Sequence, residues 1–418
     1  MGRVSPYPEL RRAIVRALAV LKGKLMKSED SVENLGAFAM KWRPQLRELQ
    51  SWKVAVSAIE RDPTWAAHLN KYYEAHSHLM RLTPSLLIRS ILFPMIHANG
   101  FAFSEPLFDE LYKNMIGFML ATQRRFLAIG VLTNAESETE ILALPGSHTL
   151  KRLTPQQRSD LRKELGEIKP RDWVFDDEQP SCAIEIAVVR NKRIPVRRPK
   201  GVPEWPLTAA EKMHRILTAM RLVRTGRVGL QVIMFRNQDW IPDGTVMTLT
   251  TSQVPKDAPY MARMVNGELL SQIFTLLDKP PQYLNIALRR FDLSYERERL
   301  DDRLIDLMIC LEALYAKDSH TELSYRISLR SALATGIDQA DRRKTFDWLR
   351  KAYEIRSDIV HGKEVRKVLI GGADVTLDAL VAFTEQNVRE AIRFFLFHPR
   401  TESQGTVLDT LDQMALTL

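Results

Sequence analysis

The 418-residue sequence has only two cysteines, Cys182 and Cys310, and no long apolar run. Two cysteines are too few for the disulfide framework of a small secreted domain or for a thiolate zinc site. The apolar stretch from Leu86 to Ile96 is interrupted by Arg89 and Pro94, so it is a poor membrane span. These absences predict a soluble protein of a reducing compartment, the cytoplasm, without a membrane partner.

Motifs for metals and nucleotide cofactors are also missing. No glycine-rich phosphate loop of the Walker or dinucleotide type occurs. His68, His76 and His78 lie between Trp65 and Met80, a segment whose pattern predicts a helix. In a helix the side chains of His76 and His78 point apart, and no cysteine or carboxylate pattern supports them as metal ligands. We therefore expect no metal and no cofactor.

Positive charge is concentrated in the first two-thirds of the chain. Residues 1–280 contain 40 lysines and arginines against 29 acidic residues, whereas residues 281–418 contain 20 against 22. The densest basic run is Arg190 to Lys200, whose two prolines favour an extended loop. Such a loop could contact a phosphate backbone, although a solvated loop explains it equally well. The candidate RNA-binding residues are Arg190, Lys192, Arg193, Arg197, Arg198 and Lys200.

The order of the sequence patterns predicts an α+β protein that is mainly α. Residues 1–120 form a helical N-terminal region, including a helix from Pro44 to Arg61. Residues 121–280 are expected to form a small, basic α/β domain that could sense RNA or a trigger. Its strands are expected at four β-branched runs, Phe126–Leu132, Cys182–Val189, Val228–Phe235 and Val246–Thr251.

Residues 281–418 have the clearest helical periodicity in the chain. Four amphipathic helices with short connections are expected near residues 300–315, 322–336, 341–362 and 376–397. Ser319 and Glu322 resemble a capping box, Gly336 is a natural stop, and Asp341 is expected to cap the third helix. Together these helices predict an antiparallel bundle of four or five helices.

The third bundle helix ends in Lys351-Ala-Tyr-Glu-Ile-Arg-Ser-Asp-Ile-Val-His-Gly362. Its apolar stripe, Phe346, Leu349, Tyr353 and Val360, also contains Arg356. An arginine on a core-facing stripe needs a partner, because an unpaired buried charge is costly. Two partners are possible: Glu312 on the first bundle helix, or a phosphate held in a cleft between two bundles.

His361 lies five residues after Arg356, which separates the two side chains by about 140° around an ideal helix. They would not pair with each other, but at a helix end both could border one cleft. Ser357 and Asp358 are close enough along the helix to orient the imidazole. A purely structural alternative is that Arg356 pairs with Glu312 and that His361 contacts the last carbonyl groups of the helix.

RNA cleavage without metal needs a base for the 2′-OH, an acid for the leaving 5′-oxygen and a cation for the phosphorane charge. Histidine and arginine are the side chains that supply these functions. One histidine per chain is meagre for both proton transfers, so the hypothesis includes a symmetric dimer that brings two together.

Several short motifs of the last third are similar to those of the Apea-like branch of the HEPN superfamily. They are Leu288-Arg-Arg-Phe291, Asp302-Arg-Leu-Ile-Asp306, Leu311-Glu-Ala-Leu314, Glu322-Leu-Ser-Tyr-Arg326, Leu329-Arg330 and Ile355-Arg-Ser-Asp-Ile-Val-His-Gly362. The resemblance covers about residues 285–400. It implies a dimeric helical bundle and a metal-independent endoribonuclease of antiviral defence or a toxin, which leaves a 2′,3′-cyclic phosphate.

By this resemblance Arg356 and His361 are the catalytic pair, and Glu312 and Arg330 are supporting groups. Some superfamily members are inactive and serve only as binding or dimerisation modules. The alternatives are therefore a non-catalytic RNA- or protein-binding adaptor, or one subunit of a larger defence complex with a partner protein.

Overall fold

A computed structural model describes most of the chain. The described residues are 7–26, 39–74, 79–144, 146, 148–166, 181–191, 205–238, 247–250, 260–263, 266–316, 322–364, 368–399 and 402–417. The fold is α+β and mainly α, as the sequence predicts. The backbone forms two compact units, one from residues 1–128, 187–209 and 234–248, the other from residues 129–186, 210–233 and 249–418. The chain crosses from one unit to the other several times.

The N-terminal part of the first unit, residues 7–120, consists of helices around one apolar core, with a short hairpin. Its elements are α1 (Tyr7–Leu25), α2 (Arg43–Glu48), α3 (Gln50–Arg61), α4 (Pro63–Ala66), β1 (Tyr72–Glu74), β2 (Leu79–Arg81), α5 (Pro84–Asn99) and α6 (Glu105–Leu120). The hydroxyls of Thr83 and Ser104 cap α5 and α6 by accepting bonds from backbone N–H groups three residues later. Trp52 and Trp65 are buried in this core with the apolar face of α1.

Two helix predictions in this unit are wrong. The segment from Trp65 to Met80 is not one helix, since Asn70 adopts a left-handed φ of 61° and the chain then forms the hairpin of β1 and β2. Likewise, extended backbone at Leu49 (ψ 131°) divides the expected helix Pro44–Arg61 into α2 and α3. His76 and His78 lie outside the described residues.

Within the part of the chain that the structure describes, the largest sheet has six strands in the order β5-β6-β7-β3-β8-β9. The elements of this region are β3 (Gln123–Thr133), β4 (Ala135–Ser137), β5 (Ile141–Leu144), β6 (His148–Arg152), α7 (Pro155–Gly166), β7 (Cys182–Asn191), α8 (Trp205–Val223), β8 (Gly229–Asn237), β9 (Met247–Thr250) and β10 (Tyr260–Ala262). Strands β5, β6 and β7 pair antiparallel, and β10 pairs parallel with β4. All four predicted strands are confirmed as β3, β7, β8 and β9.

The C-terminal part is helical, as predicted. It contains α9 (Gly267–Leu276), α10 (Leu284–Glu296), α11 (Leu300–Tyr315), α12 (Leu323–Thr335), α13 (Gln339–Val360), β11 (Val368–Ile370), β12 (Ala373–Val375), α14 (Leu377–Phe397) and α15 (Gln404–Thr417). Helix α11 is central, because it packs against α10, α12, α13 and α14. Its predicted apolar stripe is fully buried from Leu304 to Tyr315.

The ends of two bundle helices differ from the predictions. The cap of α13 is Asp338, whose carboxylate accepts a bond from Asp341 N at 2.8 Å, while the Asp341 carboxylate accepts one from Ile337 N at 3.1 Å. Asp341 therefore lies inside the first turn. Helix α12 begins after Glu322, which has a φ of 55° and makes no side-chain cap, and Ser319 lies outside the described residues.

Gly336 follows the last residue of α12, as predicted, but its φ of −75° is not left-handed. Glycine is needed here because there is no room for a Cβ. A Cβ at this position would lie 2.4 Å from Arg342 Cγ and 2.6 Å from the carbonyl oxygen of Ala332. Both cysteines are buried and unpaired. Among the described helices, none combines the length and the hydropathy needed to cross a bilayer.

Candidate functional site

Helix α13 presents a different face to the core from the one that the sequence predicts. Its buried side chains are Thr345, Leu349, Ala352 and Ile355. Of the expected stripe only Leu349 is buried, and Val360 is 54% exposed. The buried line is rotated by about one residue from the predicted one, so Arg356 lies on its flank. This position lets the guanidinium reach both a bundle carboxylate and solvent.

Arg356 forms an ion pair with Glu312 of α11. Its Nη2 lies 3.5 Å from Glu312 Oε1, and both side chains keep about a quarter of their surface exposed (23% and 24%). The contact lacks the geometry of a hydrogen bond, and the buried Nε of Arg356 makes no hydrogen bond to any described residue. The ion pair therefore uses little of the donor capacity of this guanidinium.

Tyr353 completes this cluster, with its ring centre 5.9 Å from Arg356 Cζ. Burial raises the pKa of the Glu312 carboxyl, and the nearby Arg356 charge opposes the shift without cancelling it. Burial also raises the pKa of the Tyr353 phenol, helped by Glu312 and opposed by Arg356. The sequence identifies Glu312 as a partner but treats Tyr353 only as an apolar residue of the stripe.

His361 is exposed at the C-terminal cap of α13. Its backbone N–H donates to the carbonyl of Ser357 at 3.0 Å, and Lys363 N donates to the carbonyl of Asp358 at 2.9 Å. Gly362 has a φ of +76°, which turns the chain away from the helix. The imidazole makes no hydrogen bond or ion pair with a described residue, so it is free to contact a ligand.

Ser357 and Asp358 do not orient the imidazole in this structure. The Asp358 carboxylate accepts a bond from Lys363 Nζ at 2.7 Å instead. Both residues line a groove of about 700 Å³ between α13 and the hairpin of β11 and β12, and Tyr353 lines it too. Its charged lining is balanced, with three basic and three acidic side chains: Arg343, Arg350, Lys351, Asp347, Glu354 and Asp358.

Arg330 is buried within the bundle. It is 1% exposed and donates to both carboxylate oxygens of Asp412, at 2.8 and 2.6 Å, and to the carbonyl of Tyr315 at 2.5 Å. These bonds join α12 to α15 and to the end of α11. The geometry gives Arg330 a structural role, whereas the family resemblance assigns it a supporting role at the site.

Most of the candidate RNA-binding loop lies outside the described residues, namely Lys192, Arg193, Arg197, Arg198 and Lys200. Arg190 is described, and it lies near the end of β7 with its side chain half-buried. The structure therefore brings together Arg356 and Glu312, places His361 at the end of the same helix, and leaves this loop untested.

The site as described offers an arginine with spare donors, a carboxylate with a raised pKa and an exposed imidazole. Within the described ranges, no three His, Cys, Asp or Glu side chains cluster closely enough to hold a metal ion. The chemistry available from these side chains is phosphate binding and proton transfer. Comparisons of the chain with protein-family models, with curated proteins and with solved structures found no match.

Proposed function

We propose that this chain is a metal-independent endoribonuclease of the HEPN type, in which Arg356 and His361 form the catalytic pair. The observation that carries the proposal is the unused donor capacity of Arg356 on the helix that ends in the exposed His361. A guanidinium with free N–H donors at a surface can bind a phosphate through two parallel hydrogen bonds. Its role would be antiviral defence or that of a cytoplasmic toxin.

The reaction is a transphosphorylation within the RNA. The 2′-oxygen attacks the adjacent phosphorus, its proton passes to a base, and the 5′-oxygen leaves as it receives a proton from an acid. The products are a 2′,3′-cyclic phosphate and a 5′-hydroxyl. In this scheme Arg356 stabilises the charge of the phosphorane, and the two proton transfers fall to His361 and its counterpart in a homodimer.

The groove beside Tyr353 supports an RNA path next to this pair. Its ion pairs, Arg343 with Asp347 at 3.0 Å and Lys351 with Glu354 at 2.8 Å, are on the surface. Surface ion pairs contribute only ~0–1 kcal/mol each, so a polyanion could replace the carboxylates at small cost. We propose RNA as the partner on this basis, with the basic Arg190–Lys200 run as a second contact.

The test is cleavage of end-labelled RNA in EDTA by the full chain, at several protein concentrations because a dimer is required. We expect His361→Ala and Arg356→Ala to lose cleavage and the wild type to leave cyclic phosphate ends. Matched controls are His97→Ala and Arg299→Ala, which remove an exposed histidine and an exposed arginine elsewhere. Equal cleavage by wild type and His361→Ala, with unchanged circular dichroism, contradicts the site assignment.

A second candidate is a non-catalytic RNA- or protein-binding adaptor whose bundle only dimerises, alone or within a larger defence complex. The Arg356–Glu312 ion pair favours it, because this contact gives the arginine a structural partner within one chain. The adaptor predicts salt-sensitive RNA binding without cleavage. Cleavage that appears only with a partner protein or phage component indicates the complex instead.

A further inference from the structure

A cavity of about 740 Å³ lies among the C-terminal end of α12, the N-terminal part of α13 and the C-terminal half of α14. Small-molecule sites have volumes of roughly 300–1,000 Å³, so this cavity is of suitable size. The cavity is open to solvent, and its apolar wall consists of Leu269, Ala334, Phe383 and Phe394 with the more exposed Ile337 and Phe397. None of Arg356, His361 and Glu312 lines it, so it is separate from the proposed RNA site.

Most polar side chains of this wall already have partners within the bundle. Asn387 accepts a bond from Ser331 at 2.6 Å and donates one to Thr335 at 2.9 Å. Gln386 donates to Glu390 at 2.5 Å and accepts a bond from Arg389. Both amides therefore have hydrogen-bond partners within the bundle.

The remaining acidic side chain and the histidine of the wall are engaged as well. The Asp341 carboxylate accepts a bond from the backbone of Ile337, and His398 Nε2 lies 3.6 Å from the Glu402 carboxylate. Arg393 is the remaining charged group of the wall, and the Glu390 carboxylate acts on it from one turn earlier on α14.

Arg393 is half-buried on α14 and makes no hydrogen bond or ion pair with a described residue. Burial lowers the pKa of its guanidinium, and the field of Glu390 only partly offsets this. A partly desolvated cation beside an apolar wall of three phenylalanines gains from a hydrogen-bonded anion, because water solvates it incompletely there. Arg393 and the apolar wall therefore provide a charged group and an apolar surface that one ligand could contact together.

We propose that the cavity binds a small amphipathic carboxylate, with its apolar body against the phenylalanines and its carboxylate on Arg393. A carboxylate matches the guanidinium because two parallel N–H···O bonds can form. A neutral ligand of the same shape would bury the same apolar surface but leave the cation unpaired. The site should therefore bind a carboxylate more tightly than a neutral ligand of the same shape.

The experiment compares decanoate with decan-1-ol, its neutral analogue, by calorimetry on the full chain at submicellar concentration. We expect decanoate to bind about ten-fold or more tightly than the alcohol, which is the selectivity of a charged hydrogen-bonded pair. Arg393→Gln should reduce this ratio to about one by weakening decanoate alone.

Two further variants keep the test decisive. Arg299→Gln removes an exposed arginine outside the cavity and should leave the ratio unchanged. Ala334→Phe fills the cavity from α12 with Arg393 intact and should abolish binding of both ligands. The proposal is overturned if wild type binds the two ligands equally or not at all. It is equally overturned if Arg393→Gln, folded by circular dichroism, keeps the preference.

Discussion

Glu385 and Glu312 both face arginines in the C-terminal bundle, yet their surroundings differ. Glu385 is buried and accepts bonds from Arg303 at 2.6 Å, Arg389 at 2.5 Å and the Tyr295 hydroxyl at 2.9 Å. Glu312 has a single arginine contact at 3.5 Å, and a quarter of its side chain is exposed. The first carboxylate is saturated by hydrogen bonds, whereas the second is not.

The same contrast holds for the arginines. Arg389 also donates to the carbonyl of Arg221 at 2.7 Å, so its guanidinium links α14 to α8 as well as to Glu385. Arg356 makes no hydrogen bond to a described residue. Charged groups in the interior must form hydrogen bonds with each other, because water does not solvate them there. The Arg356 side chain is 23% exposed and that of Arg389 only 1%, so Arg356 is the one of the two that a ligand could reach.

The largest expected effect comes from Glu385→Gln. The substitution removes the buried carboxylate that pairs with both Arg303 and Arg389, and breaking a buried pair in this way costs ~3–5 kcal/mol. Urea unfolding should show this loss in the free energy of unfolding. The matched variant, Glu312→Gln, should cost about 1 kcal/mol or less, because its ion pair is partly exposed. Similar losses for the two variants would contradict the distinction between saturated and unsaturated pairs.

The sequence predicts the parts of the fold that rest on long, regular patterns. Helices α11 and α14 follow from apolar residues repeated over several turns, and the four strands follow from β-branched runs. The hairpin of β1 and β2 escapes prediction because each strand has three residues, too few to show an alternating pattern. The N-terminal cap of α13 is misplaced by three residues because Asp338 and Asp341 both fit a cap.

The buried charges cannot be predicted from local pattern. Hydropathy places charged residues outside, yet Asp306 is 2% exposed and receives Arg290 and Arg297. Glu385 meets Arg303 across 82 positions of sequence, a separation that no periodicity encodes. At the site, Glu312 is one of the two partners that the sequence predicts for Arg356. The exposure of His361 depends on where α13 ends in space, which the motif alone does not specify.

Arg330→Gln should have the next largest effect. Arg330 is buried and bonds Asp412 and the Tyr315 carbonyl, and hydrogen bonds to charged groups contribute ~1.5–3 kcal/mol. We expect a loss of about 2 kcal/mol and faster amide hydrogen exchange in α15. Arg356→Gln is the matched control, and it should leave exchange in α15 unchanged. If Arg330→Gln leaves stability and exchange intact while RNA cleavage falls, Arg330 acts at the site rather than on α15.

The smallest effect is a difference in pH dependence. Because burial raises the pKa of Glu312, the folded state holds this proton more tightly than the unfolded state. The contribution to stability is full below the ordinary carboxyl pKa and is lost as the pH rises through the raised value. Glu312→Gln cannot ionise and escapes this loss. Its stability relative to wild type should therefore increase from pH 4 to pH 7.

Urea unfolding of both proteins across this pH range measures the difference, and Glu354→Gln is the control because Glu354 is 61% exposed. The wild-type curve alone is not informative, since many other carboxyl groups titrate in the same range. If the relative stability of Glu312→Gln falls with rising pH, the Arg356 charge outweighs burial at Glu312. The ion pair of Glu312 with Arg356 would then stabilise the fold, and it would differ from the ion pairs of Glu385 only in how strongly it does so. If the relative stability of Glu312→Gln rises with pH instead, the ionised Glu312 carboxylate destabilises the folded bundle. A pair that lowers stability in this way is better explained by a role in ligand binding.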